Sequence, residues 1–173
     1  MLTEINYSQF DEIYKIMENS FPPDERRPYN EQRHLLDLPT YHIYVQTDSS
    51  SAHIQGFLAI WDLPKLCFVE HFAVNPLYRN AGLGSIMLQK LIGTQPKVIC
   101  LEVELPESEL AIRRIHFYER NGLYLNRYPY TQPALSRGQN EIPLYLMTSD
   151  HALNVCEFAS VKKAIMQHVY HTA

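Results

Sequence analysis

No run of 18 apolar residues occurs in this chain, so nothing in it reads as a membrane-spanning helix. The first residues carry no basic-then-apolar segment, and a cytoplasmic location is expected on that ground. Cysteine is scarce. Cys67, Cys100 and Cys156 make an odd set of three, which argues against a disulfide framework. They read as reduced, buried thiols, and no basic partner stands beside them at a helix start to make one reactive. A strong charge excess is also missing: the formal net charge is −4, which leaves no basic surface for nucleic acid. Internal repeats and low-complexity tracts are absent. What remains is a chain of 173 residues suited to a single domain, 1–173, whose hydrophobic fraction of 46% is enough for a full core.

Several well-known catalytic and binding motifs are missing too. No G-x-S-x-G element supports a serine hydrolase. His168 and His171 stand three apart on a helical pattern, but no third ligand follows at recognisable spacing, so no metal site is expected. No Lys-Ser or Lys-Thr follows a glycine, which removes the P-loop. Of the dinucleotide fingerprint only Gly82 and Gly84 are present; the third position is Met87, and seven residues, Asn75 to Ala81, separate the preceding strand from Gly82. Glu102 stands where a ribose-binding acid would, which keeps that alternative open.

What is present is a phosphate-binding architecture. An apolar run, Leu66 to Val74, stops at Asn75-Pro76; a basic, glycine-bearing loop, Arg79 to Gly84, follows; a helical pattern begins at Ser85. Glycines let the backbone approach an anion, the free N–H groups of a first helical turn point at it, and Arg79 adds a planar donor fork. The pattern Arg79-x-x-Gly82-x-Gly84 after Ala73-Val74-Asn75-Pro76 resembles the acetyl-CoA loop, R/Q-x-x-G-x-G/A, of the GNAT superfamily of N-acetyltransferases. Downstream, His116-Phe-Tyr-Glu-Arg-Asn-Gly-Leu123 is similar to that family's F-Y-x-x-x-G-F/L segment, with one strand-like run between the two. The resemblance spans at least Leu66 to Tyr130.

Periodicity and caps supply the rest of the element order. Strands are expected at Leu2–Asn6, Tyr41–Gln46, His53–Trp61, Leu66–Val74, Val98–Glu104, Tyr124–Tyr130 and Ile142–Met147. Helices are expected after a Ser8 cap with Phe10, Ile13, Met17 and Phe21 as the stripe, at Asn30–Asp37, from Ser85 to about Gly93, from a Ser108 cap to Asn121-Gly122, and at His151–Tyr170. The order β-α-α-β-β-β-α-β-α-β-β with an extra C-terminal helix matches the mixed α/β sheet of the GNAT fold. That helix, with its stripe of Phe158, Val161, Ile165 and Val169, is expected on its own sheet or on a second subunit of a homodimer. The resemblance implies a V-shaped gap between the strands ending near Val74 and Glu104.

It also implies a reaction: direct acetyl transfer from the cosubstrate acetyl-CoA to a small amine-bearing acceptor. Family members place backbone bonds to the pantetheine arm at positions matching Phe72, Ala73 and Val74. The N–H groups of Arg79, Asn80, Ala81, Gly82, Leu83, Gly84 and Ser85 would take the pyrophosphate. Tyr118 matches the family tyrosine and is expected to protonate the leaving thiolate. Glu70 interrupts an apolar strand, and burial is expected to raise its pKa into the range of a useful base; pairing with a nearby Arg or holding the substrate amine electrostatically is the alternative. His71 should face the opposite side if the strand is regular, a bulge of the kind the family carries would change that, and His71 is the substitute base. The asparagine common seven residues before the tyrosine is Ala111 here, so its contact is either absent or supplied by Arg113 or Arg114. The acceptor channel is expected between Phe21–Tyr29 and Tyr128–Gln132, where Arg26 and Arg27 would favour an acceptor bearing an anionic group. A non-catalytic acyl-CoA-binding or sensing domain is the alternative.

Overall fold

The computed structural model describes residues 1–172. A three-residue strand, β1 (Leu2–Glu4), precedes helices α1 (Phe10–Ser20) and α2 (Tyr29–His34). Strands β2 (Tyr41–Thr47), β3 (Ile54–Asp62) and β4 (Leu66–Val74) follow as a meander. Helix α3 (Leu83–Thr94) leads to β5 (Val98–Glu104), and α4 (Glu109–Arg120) leads to the hairpin of β6 (Leu123–Gln132) and β7 (Ile142–Ser149). Helix α5 (Val155–His168) comes last. The expected order therefore holds, with helix starts moved by their caps. Asn6, not Ser8, leads into α1: its side chain accepts the Ser8 N–H, and Gln9 accepts the Asn6 N–H through Oε1, around a 3₁₀ turn at Tyr7–Gln9. Asn154 likewise delays α5 to Val155 by a reciprocal capping pair with Glu157.

The seven strands form one sheet in the order β1-β2-β3-β4-β5-β7-β6. Every pairing is antiparallel except β4 with β5, and that parallel ladder is short, running from Leu66↔Val98 to Val69↔Leu101. Beyond Val69 the two strands are no longer paired to each other, while β4 stays paired to β3 as far as Val74 and β5 to β7 as far as Glu104. The sheet is thus split at its centre.

Strand alternation divides the core between the two faces. Phe10, Ile13, Met17, Trp61, Phe68, Phe158 and Ile165 bury on one face, where α1 and α5 lie. Leu58, Ile60, Val69, Met87, Leu88, Leu101 and Ile115 bury on the other, beneath α3 and α4. Each such side chain contributes about 1.5–3 kcal/mol on burial. The α5 stripe is used within the chain: Phe158, Ile165 and Val169 are buried in the first core, with Val161 packed beside them, so it is not left for a second subunit. Cys67 and Cys100 are buried free thiols, but Cys156 in the first turn of α5 is exposed, which corrects the expectation for that residue.

One irregularity shapes the site. Ala59 pairs with His71 and Ile60 with Val69, so Glu70 is an extra residue in β4. A β-bulge of this kind interrupts alternation. Glu70 and His71 consequently share a face, with His71 Nδ1 lying 3.7 Å from Glu70 Oε2. The opposite-side placement expected of a regular strand is corrected here by the bulge that the resemblance allowed for.

Candidate active site

A cavity of about 640 Å³ opens where β4 and β5 part. Its walls are the ends of both strands, the loop before α3, the inner face of α4, and residues from the α1–α2 connection, β6 and β7. Phe72, Ala73 and Val74 line it, with one edge of their strand paired to β3 and the edge toward β5 unpaired. An unpaired strand edge presents backbone donors and acceptors that require a partner.

The loop before α3 is built locally. Asn75 accepts the Leu77 N–H, a 3₁₀ turn runs through Pro76–Tyr78, and Arg79 donates from Nε to the Val74 carbonyl at 3.1 Å, tying the loop to the strand end. Asn80 (φ 66°) and Gly82 (φ 73°) are both left-handed, and Gly82 is the residue on which α3 starts. The first intrahelical bond is from the Ile86 N–H to the Gly82 carbonyl. The N–H groups of Leu83, Gly84 and Ser85 therefore lack helical acceptors and carry the positive end of the helix dipole. Gly84 serves a different purpose from Gly82: a Cβ there would lie 3.3 Å from Phe117 Cζ and 3.6 Å from Val74 Cγ2. Arg79, Asn80, Gly82, Leu83, Gly84 and Ser85 all line the cavity; Ala81 does not.

Ser108 caps α4 by accepting the Ala111 N–H, as expected. Ala111 and Ile115 turn into the core, and Leu110, Arg113, Arg114, Phe117 and Tyr118 turn to the cavity. Ala111 is buried in the core, while Arg113, Arg114 and Tyr118 bring polar groups to this wall. The Tyr118 hydroxyl has no hydrogen-bond partner among the described residues. Burial pushes its pKa up to about 12, with the Arg114 charge opposing. That is above the ordinary phenol value, and it keeps the hydroxyl protonated as a donor.

Glu70 also lines the cavity, its side chain only 3% exposed. Both of its oxygens are engaged: Oε1 accepts from Arg27 Nη1 at 2.6 Å and Oε2 from Trp61 Nε1 at 3.2 Å. Burial pushes the carboxyl up, but the charge of Arg27 and the hydrogen bonds from Arg27 and Trp61 outweigh it, leaving the pKa below the ordinary value. The upward shift expected from burial alone is thereby corrected. His71 is held neutral chiefly by burial. Its Nε2 lies 2.7 Å from the Glu25 carbonyl, which can only accept, so Nε2 carries the proton; Nδ1 is buried without a hydrogen-bond partner. His71 is not part of the cavity wall.

Arg26 and Arg27 do not face the channel. Arg27 is consumed by Glu70, while Arg26 donates to the Phe21 carbonyl and the Tyr14 hydroxyl. Of the expected channel segments, Phe21, Glu25 and Gln132 reach the cavity. Tyr128 instead packs on Phe158, with ring centroids 4.7 Å apart.

Sequence reasoning missed Glu102 as an acceptor-side residue. It lines the cavity from β5, and burial raises its pKa to about 7. The signal was available, since Glu102 interrupts an apolar strand as Glu70 does. Glu25 is raised as well, by burial first and then by Glu104. Arginines and glutamates gather on different walls of the cavity and meet where Arg114 pairs with Glu104. Arg79, Arg113 and Arg114 stand on the loop and α4 walls, and Glu25, Glu70, Glu102 and Glu104 stand toward the α1–α2 connection and the split in the sheet.

The family model described as Acetyltransferase (GNAT) family matches residues 10–123. Among solved structures, a GNAT-family protein from Bacteroides thetaiotaomicron is similar over 100% of this chain and 99% of its own, at 31% identity and a TM-score of 0.92. A mutant spermidine N-acetyltransferase from Vibrio cholerae shares the fold at 13% identity, covering 86% of this chain and 94% of its own with a TM-score of 0.64. So does NAA60 from Arabidopsis thaliana, solved with a bisubstrate analogue, at 16% identity, 86% and 95% coverage and a TM-score of 0.63.

Proposed function

This chain belongs to the GNAT acetyltransferase family, and from that premise we propose that it transfers an acetyl group from acetyl-CoA directly to a small acceptor carrying a cationic amine. The observation that carries this reading is the meeting, in one cavity, of three groups. They are the unpaired edge of β4, the open N-terminus of α3, and the unpartnered hydroxyl of Tyr118. Acetyl-CoA supplies an activated thioester. The chain's own residues bind and orient it: Phe72, Ala73 and Val74 offer backbone groups to an extended amide-bearing arm, and the free N–H groups of Leu83, Gly84 and Ser85, with Asn80 and Gly82 beside them, offer an anion cradle for pyrophosphate. Arg113 adds positive charge on the same wall, while Arg114 is paired with Glu104.

Tyr118 acts as the acid in this reading. Its hydroxyl is protonated, unshared and inside the cavity, ready to donate to a departing thiolate. Glu70, locked by Arg27 and Trp61, is a fixed anion at the split in the sheet and helps hold an incoming ammonium. The acceptor class follows from the charge map. The acceptor end holds carboxylates, and the arginines expected to welcome an anionic group are turned away. The spermidine enzyme that shares this fold is named for a polycation, the same charge class. Cys67 and Cys100, buried and unpaired, suit a reducing compartment such as the cytoplasm.

Thiol release from acetyl-CoA, measured across a panel of amines with and without carboxylate or phosphate groups, tests the proposal. Turnover is expected with cationic amines and is expected to fall by tenfold or more when an anionic group is added beside the amine. Tight acetyl-CoA binding with no thiol release across the panel would instead favour a non-catalytic acyl-CoA sensor.

A further inference from the structure

The cavity holds a carboxylate that the roles above leave unused. Glu102 stands on β5, across the split from Glu70 on β4, and on the same face of the sheet. Two phenols grip it from outside the strand. Tyr130 of β6 and Tyr170, just beyond α5, both donate to the same oxygen, Oε1, the latter at 2.7 Å. The other oxygen, Oε2, accepts nothing from the described residues, nor is it among the side-chain atoms sealed from solvent. Glu70 differs in this respect, since Arg27 and Trp61 occupy both of its oxygens.

We propose that Glu102 is the general base of the reaction, taking the acceptor's proton on its free Oε2 while Tyr130 and Tyr170 position it through Oε1. This rests on the acetyl-transfer reading above. It also gives α5 a task. Ile165 and Val169 are buried against the sheet, and the turn that follows them delivers Tyr170 to the base. The helix added to the family's element order thus contributes a positioning residue to the active site.

The step balances. The acceptor arrives as an ammonium and gives one proton to Glu102. The freed lone pair forms a C–N bond to the thioester carbon, and the C–S bond breaks. The thiolate takes a proton from Tyr118, and the surplus proton on nitrogen restores the phenol. Glu102 then releases its proton to solvent, so each turnover yields one amide, one thiol and one proton.

The groups facing Glu102 determine how it titrates. They are Tyr130 from β6, Tyr170 after α5, Glu70 with its partner Arg27 across the split, and Glu25 from the α1–α2 connection. Glu104, paired with Arg114, lies two residues along β5. Burial is the leading cause of its raised pKa of about 7; the two phenol bonds lower it, and Glu70 and Glu25 raise it. A base that ionises near neutrality is well matched to proton transfer at that pH.

The test is the pH profile of kcat/KM for wild type, Glu102→Gln, Tyr170→Phe and Glu70→Gln. Wild type should show an acidic limb near 7. Glu102→Gln should lose that limb and lower the plateau by about 10²-fold or more. Tyr170→Phe removes a bond that both favours the ionised form and positions the base, so its limb should move to higher pH and its plateau should fall, by less than in Glu102→Gln. Glu70→Gln removes a neighbouring negative charge, so its limb should move to lower pH and persist. A Glu102→Gln variant that keeps the limb, with Glu70→Gln losing it, overturns the proposal. If wild type transfers acetyl to no amine, the acetyl-transfer reading fails instead, and carboxyl ¹³C NMR of glutamate-labelled protein still decides the electrostatic clamp. A Glu102 resonance titrating near 7, and higher in Tyr170→Phe, supports the clamp; titration with the ordinary carboxylates refutes it.

Discussion

Replacing Gly84 by valine isolates the cofactor loop. Gly84 is the second residue of α3, and an added Cβ would lie 3.3 Å from Phe117 Cζ, 3.6 Å from Phe117 Cε2 and 3.6 Å from Val74 Cγ2. One methyl requires the Phe117 ring to yield by a few tenths of an ångström. That cost is offset by the helix propensity gained over glycine, up to about 1 kcal/mol, so Gly84→Ala should leave stability nearly unchanged. Valine adds two more methyls between Phe117 and Val74. Overpacking of this kind costs about 1–3 kcal/mol, below the 5–15 kcal/mol that holds a typical domain together, so the variant should remain folded. The displaced groups belong to the cavity itself, because Val74 and Phe117 line it and Tyr118 is Phe117's chain neighbour. Acetyl-CoA affinity should therefore fall by tenfold or more, equivalent to about 1.4 kcal/mol. Calorimetric titration beside thermal unfolding separates the two effects. A valine variant that binds acetyl-CoA like wild type would refute the placement of the pyrophosphate at the start of α3.

Two further outcomes are expected. Tyr118→Phe removes only a hydroxyl without a protein partner, so kcat should fall by about 10²-fold with acetyl-CoA affinity unchanged; a loss confined to KM would return Tyr118 to a packing role. Arg27→Met leaves the Glu70 carboxylate buried without its counter-charge and should cost about 3–5 kcal/mol in denaturant unfolding, partly recovered by adding Glu70→Gln. Because the folded pKa of Glu70 is lowered, the stability from this pair is present above the unfolded carboxylate pKa, about 4.3, and is lost as pH falls through the folded value. An Arg27→Met variant as stable as wild type would show that the pair contributes nothing.

The amino-acid sequence alone determined the order of elements and the loop at the start of α3. Both depend on neighbours. Ser108 caps α4 from three residues away, Gly82 supplies a left-handed turn at the residue where it is needed, and apolar alternation marks β4 from Leu66 to Val74. Such signals survive in a linear reading because the interacting groups lie within one helical turn or one strand. The acceptor side was decided only by tertiary structure. Glu70 could be read as a buried acid in need of a partner, but only folding placed Arg27, 43 residues away, on its Oε1. The bulge that turns His71 to the same face arises in the pairing of β3 with β4, which no spacing within β4 reveals. Glu102 acquired its meaning from Tyr170, 68 residues further along the chain, and no periodicity links the two. A carboxylate's proton affinity is the sum of the charges, donors and burial around it. Here nearly all of those come from distant segments, so the sequence could show that an acid interrupts a strand but not whether that acid would be locked as an anion or left free to take a proton.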